Sequence, residues 1–90
     1  MLMQAIDRDQ NMRPADRTVA AVLLGSLDPK REDAQISQPE LCRRTGLSLG
    51  TVRGALRRLA AAGYFAVIEP SGRDLYYGDH ARRYRPQLEG

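Results

Sequence analysis

Apolar residues recur along this chain at helical spacing in two places. Val19, Val22, Leu23 and Leu27 form the first set. Pro14 precedes them and suits a first helical position, where its missing N–H has no intrahelical partner to lose. The pattern predicts a helix over 14–27, ending near Asp28-Pro29. Val52, Leu56 and Leu59 form the second set at i, i+4 and i+7, and predict an amphipathic helix over 49–62. Between them, Lys30 to Gln35 reads as a charged loop and Ile36 as a strand of one or two residues. Ser37 or Gln38, followed by Pro39 and Glu40, opens another helix that runs to Thr45.

The joints between these elements carry their own signals. Gly46 supplies the positive φ of a sharp turn. Leu47 plugs the core between two helices, and Ser48 caps the next helix with its hydroxyl facing the N–H of Thr51. Gly63 is a C-terminal stop in the left-handed conformation. Tyr64 to Glu69 is rich in β-formers and reads as a strand. Pro70-Ser71-Gly72 with Arg73 and Asp74 is turn chemistry, and Leu75 to Tyr77 can return as the partner strand. Met1 to Arg13 has no clear period and is expected as a flexible arm or a short frayed helix.

The element order is helix, short strand, helix, helix, hairpin. That is an α+β fold of the winged helix-turn-helix type, with three helices, a short strand and a C-terminal β-hairpin wing. The expected division is an N-terminal arm over 1–13, a winged helix-turn-helix domain over 14–78 and a basic tail over 79–90.

Charge sharpens this picture. The chain has 90 residues, room for one small domain, with net charge +3 and pI about 9.5. The segment from Leu41 to Tyr64 holds Arg43, Arg44, Arg53, Arg57 and Arg58 and no Asp or Glu. The rest of the chain carries nine basic residues against eleven acidic ones, so the positive potential is concentrated on the helix pair. A helix pair of this shape and charge fits the major groove of B-DNA.

Arg53, Arg57 and Arg58 are candidates to read guanine or hold phosphate, because a planar guanidinium matches guanine O6 and N7 together. A solvated helix face is the alternative, which the acid-free helix pair disfavours. Ser48, Gly50 and Thr51 lie at the helix end that enters the groove. Ser48 can cap the helix, contact a phosphate, or both. Gly50 and Gly54 each weaken a helix by roughly 1 kcal/mol relative to Ala, and close approach of backbone to DNA rationalises them. Arg43 and Arg44 are expected near the DNA backbone. Arg73 at the wing tip can enter a minor groove, where narrow A·T tracts attract Arg, the alternative being a wing that points away from DNA. Arg82, Arg83 and Arg85, with Tyr84 among them, read as a basic extension along DNA or an interaction tail.

Other chemistry is thinly represented. Cys42 is the single cysteine, so no intrachain disulfide can form, which suits a reducing cytoplasm. The longest apolar run, Val19 to Leu24, is too short to span a bilayer. Asp7, Arg8 and Asp9 stand where a signal peptide would need its apolar core. No metal-ligand spacing, phosphate loop or catalytic grouping stands out, and His80 reads as an exposed loop residue. The expectation is therefore no enzyme, no cofactor and no evident small-molecule ligand.

A family resemblance rests on Glu40-Leu41, Thr45-Gly46-Leu47-Ser48, Thr51-Val52-Arg53, Ala55-Leu56-Arg57-Arg58-Leu59 and Gly63. These residues resemble the DNA-binding module of GntR-like and MarR-like bacterial regulators. They are also similar to the winged helices of plasmid and phage replication initiators. The resemblance implies that Arg53 and Thr51 occupy base-reading and phosphate-contacting positions. It also puts Leu49 and Gly50 on the DNA-facing turn, where GntR-like proteins often carry Arg and then Ser or Thr. Glu40-Leu41-Cys42 is similar to a stretch of the metal-sensing ArsR-like regulators. Those need a second thiolate or a His and carboxylate cluster, so core packing is the expectation for Cys42. The chain ends soon after the wing, so a metabolite switch of the GntR kind is not expected.

The leading expectation is a small cytoplasmic bacterial or phage protein that binds double-stranded DNA sequence-specifically as a homodimer. It would regulate transcription by occupying an operator. Two alternatives stay open: an accessory protein in plasmid or phage replication, partition or excision, and a winged-helix module for protein–protein interaction.

Overall fold

Residues 2–30, 32–68 and 82–87 are described by a computed structural model. Helix α1 spans Leu2–Arg8 and α2 spans Pro14–Gly25. Strand β1 (Ala34–Ile36) follows, then α3 (Gln38–Thr45), α4 (Leu49–Ala61), β2 (Phe65–Ile68) and β3 (Arg82–Pro86). The sheet is antiparallel in the order β1-β3-β2, with Ala34 opposite Tyr84 and Val67 also opposite Tyr84. The three helices α2, α3 and α4 pack on one another, and α2 and α4 pack on this sheet through β1 and β2, as the hydrophobic pattern requires of a winged helix-turn-helix.

The predicted apolar stripes are the core. Val19 and Leu23 of α2, Leu41 of α3, and Val52, Ala55, Leu56 and Leu59 of α4 are all buried. Each such aliphatic side chain contributes roughly 1.5–3 kcal/mol on burial. Helix α2 stops at Gly25, two residues before the expected end. Ser26 turns its hydroxyl back to the Val22 carbonyl (2.7 Å) and its N–H to Leu23 (3.1 Å).

Two stretches add to or differ from expectation. Residues 2–8 form a short helix, one of the two forms expected for 1–13, and so add a fourth helix among the described residues to the three expected in the fold. The reason is docking: Ile6 is fully buried, and the Tyr64 hydroxyl donates to Asp9 (2.7 Å) just past the helix end. The second difference concerns 82–86, read as part of a tail. These residues form the central strand, because Tyr84 is buried between two strands while Arg83 and Arg85 alternate to the other face. The return strand expected at Leu75 to Tyr77 lies outside the described residues.

Candidate nucleic-acid interface

The turn between α3 and α4 is built from local chemistry. Gly46 takes φ +74 and donates its N–H to the Cys42 carbonyl (2.8 Å), closing α3 in a left-handed cap. The Thr45 hydroxyl donates to Leu41 O (2.6 Å) and accepts from the Leu47 N–H (3.2 Å). Leu47 packs against the core and fixes the angle of entry into α4. The Ser48 hydroxyl oxygen then accepts the Thr51 N–H (3.2 Å) and pairs with the Thr51 hydroxyl (2.8 Å). At the far end Gly63, at φ +83, donates to Ala60 O, and Tyr64 donates to Leu59 O, both at 3.0 Å. That is the two-bond C-terminal motif its position predicted.

Helix α4 is thus held with one face in the core and the other in solvent. Gly50, Arg53 and Arg57, at i, i+3 and i+7, form the exposed stripe, with Leu49 beside them. Ser48 is exposed and Thr51 half-buried at the same end. The Arg53 Nε–H donates to Gln38 Oε1 (3.0 Å), a bond that does not use the two terminal nitrogens of its guanidinium. Arg57 makes no ion pair with a described residue. Arg53 and Arg57 line a groove of about 450 Å³ together with Gln38, Val67, Arg82 and the buried Leu56 and Tyr84.

Other expected site residues are placed differently. Arg58 turns to a carboxylate of α2, apart from the exposed stripe. Its Nε donates to Asp16 Oδ2 (2.8 Å) and its terminal nitrogen to Oδ1 (2.8 Å), clamping α4 onto α2. Asp16 is fully buried and also accepts the Arg13 N–H (2.9 Å), half of a capping box for α2. Burial alone would raise this carboxyl's pKa; the Arg58 and Arg13 hydrogen bonds outweigh it and hold it below the ordinary value. The same bond raises the pKa of Arg58. A Cβ at Gly54 would stand 3.3 Å from an Arg58 terminal nitrogen, the far end of a flexible side chain that a shift of a few tenths of an ångström would relieve.

Arg43 and Arg44 are exposed, but both close on Glu40, at 2.6 and 2.8 Å, and Arg44 also donates to the Ser26 hydroxyl (3.0 Å). The two guanidiniums, Arg43 first, hold the Glu40 carboxyl below its usual range. Cys42 is half-buried against the core. Arg73 and His80 lie outside the described residues. Of the groove's lining, Gln38 was expected only as a helix start, and Arg82 as part of a basic extension along DNA or an interaction tail.

No membrane-crossing helix occurs among the described residues, and none of their His, Cys, Asp or Glu side chains cluster in a metal-holding group. Neither curated proteins nor solved structures gave a match to the chain. A family model does match: residues 31–65, from the loop before β1 through both helices to the first residue of β2, are similar to the winged helix-turn-helix DNA-binding family, in keeping with the winged-helix fold described above.

Proposed function

We propose that the protein binds double-stranded DNA sequence-specifically by inserting the N-terminal half of α4 into the major groove. The observation that carries this is the exposed stripe of Gly50, Arg53 and Arg57, opposite a fully buried face and framed by a rigid turn. Arg53 reads a base, and its Nε bond to Gln38 fixes the direction in which it reaches. Ser48 and Thr51 cap the helix beside a backbone phosphate. Arg57, with Arg43, Arg44 and Arg73, supplies phosphate contacts. Arg43 and Arg44 do so by exchanging Glu40 for a phosphate.

In biological terms the protein is a small cytoplasmic regulator that occupies an operator and performs no chemistry. One recognition helix reads about half a site, so a homodimer on a pseudo-palindrome with half-sites roughly 10 base pairs apart is the expected assembly. Titration of a random duplex at increasing salt tests the core of the proposal. Two to four phosphate contacts give a log–log slope of about −2 to −4 per subunit. A flat response would remove DNA as the partner and favour a protein-interaction module. Selection of bound fragments from the source genome separates an operator-binding regulator from a replication or partition accessory.

A further inference from the structure

The DNA-entering end of α4 is unusually apolar. Leu49 is 40% exposed and, with Val67, is one of two exposed large hydrophobic residues among those described. The hydroxyls that flank it are not directed outward to bases: Ser48 and Thr51 bind each other at 2.8 Å, and Ser48 also takes the Thr51 N–H. Gly50 adds no side chain, and a Cβ there would meet nothing within 4 Å. A bare backbone and a projecting isobutyl group remain. Polar base edges find no partner in such a surface. The one apolar feature of the major-groove floor is the C5-methyl group of thymine.

We propose that Leu49 is a specificity-determining residue that recognises the 5-methyl group of a thymine near the guanine read by Arg53; this rests on the DNA-binding reading above. Leu49 and Arg53 are one turn apart on the same face, about 6 Å along the helix. Base pairs are spaced about 3.4 Å along the duplex. The thymine therefore lies one or two base pairs from the guanine. Leu49 rejects cytosine by loss of contact, because cytosine presents an amino group and no methyl at this edge.

The test uses the full chain and a duplex obtained by selection from random sequence. Each thymine is replaced in turn by deoxyuridine, which differs only by the methyl group. One replacement, within two base pairs of the guanine whose loss matches the Arg53→Ala defect, should weaken binding about fourfold. That is the equivalent of the roughly 0.8 kcal/mol from burying one CH₂-sized group. Leu49→Ala should bind thymine and uracil duplexes equally, with the salt slope unchanged and helicity intact by circular dichroism. Salt-sensitive binding with no uracil effect, or a uracil effect that survives in Leu49→Ala, overturns this inference and leaves DNA binding standing. Absence of any salt-sensitive binding to duplex overturns both.

Discussion

Removing Arg58 and removing Asp16 should destabilise the protein by different amounts, although they share one ion pair. Arg58→Met keeps much of the aliphatic stem and deletes the guanidinium. It strands a fully buried carboxylate with a single remaining donor, the Arg13 N–H. Breaking a buried pair this way costs roughly 3–5 kcal/mol. The low end, about 3 kcal/mol, is expected here, because the Arg58 side chain is 30% exposed and its removal admits water. Asp16→Asn leaves a neutral acceptor for Arg13 and frees Arg58 to turn into solvent, so about 1–2 kcal/mol is lost. In a domain of this size each kcal/mol shifts Tm by about 4–8 °C, so thermal unfolding resolves the two variants.

The pH dependence checks the cause. The Asp16 carboxyl of the native protein sits below its ordinary value of 3.8. Its contribution is therefore fully present above that pH and is lost as pH falls through the lower folded value. In Arg58→Met burial is no longer outweighed, so the folded carboxyl titrates higher than the unfolded one. That variant should gain stability as pH falls from 7 toward 4, while the wild type gains none from this group. Its affinity for duplex DNA, measured well below its Tm, should equal the wild type's. Equal costs for the two substitutions, a cost for Arg58→Met under about 0.5 kcal/mol, or a lower DNA salt slope in folded Arg58→Met would refute the assignment of Arg58 to the core.

Three further outcomes are expected. Arg53→Ala should lose roughly 1–3 kcal/mol on a selected site and relax preference at one base pair, whereas Arg57→Ala should weaken all sequences alike and reduce the salt slope by about 1 in quantitative shift assays. Tyr64→Phe should loosen α1, read as faster amide exchange over 2–8. The bond to Asp9 raises the Tyr64 pKa above 10.0 and lowers the Asp9 pKa below 3.8, so its stabilisation is complete between those values and fades as pH rises through the folded Tyr64 value or falls through the folded Asp9 value. Cys42→Ala should cost modest stability and leave DNA affinity unchanged under reducing and oxidising conditions; loss of DNA regulation with folding intact would revive a sensor role.

What could be read from the sequence was whatever acts within one turn of itself. Gly46, Ser48 and Gly63 perform their work on their own backbone, and each stands as expected. The buried stripe of α4 follows from spacing alone. The central strand was hidden because it carries one large apolar residue among arginines, and Tyr84 becomes a core residue only when strands are present on both sides. For a similar reason helix α1 could be read only as one of two alternatives, an arm or a short helix. Ile6 is its one fully buried residue, and the bond that ties down its end joins Asp9 to Tyr64.

The arginines show the same division at the site itself. Five of them in an acid-free stretch look like one basic surface, yet acidic residues from outside that stretch return in space. Glu40 takes Arg43 and Arg44, and Asp16 takes Arg58. Arg57 and Arg58 are neighbours in sequence but about 100° apart around the helix, and this alone sends one to solvent and the other to α2. Arg53 and Arg57 remain with no carboxylate among the described residues. Two such guanidiniums per chain touch few bases, whatever phosphate contacts Arg43 and Arg44 add by exchanging Glu40. One copy of this surface is too small to select a site in a genome, and that is the physical ground for expecting two recognition helices on one operator.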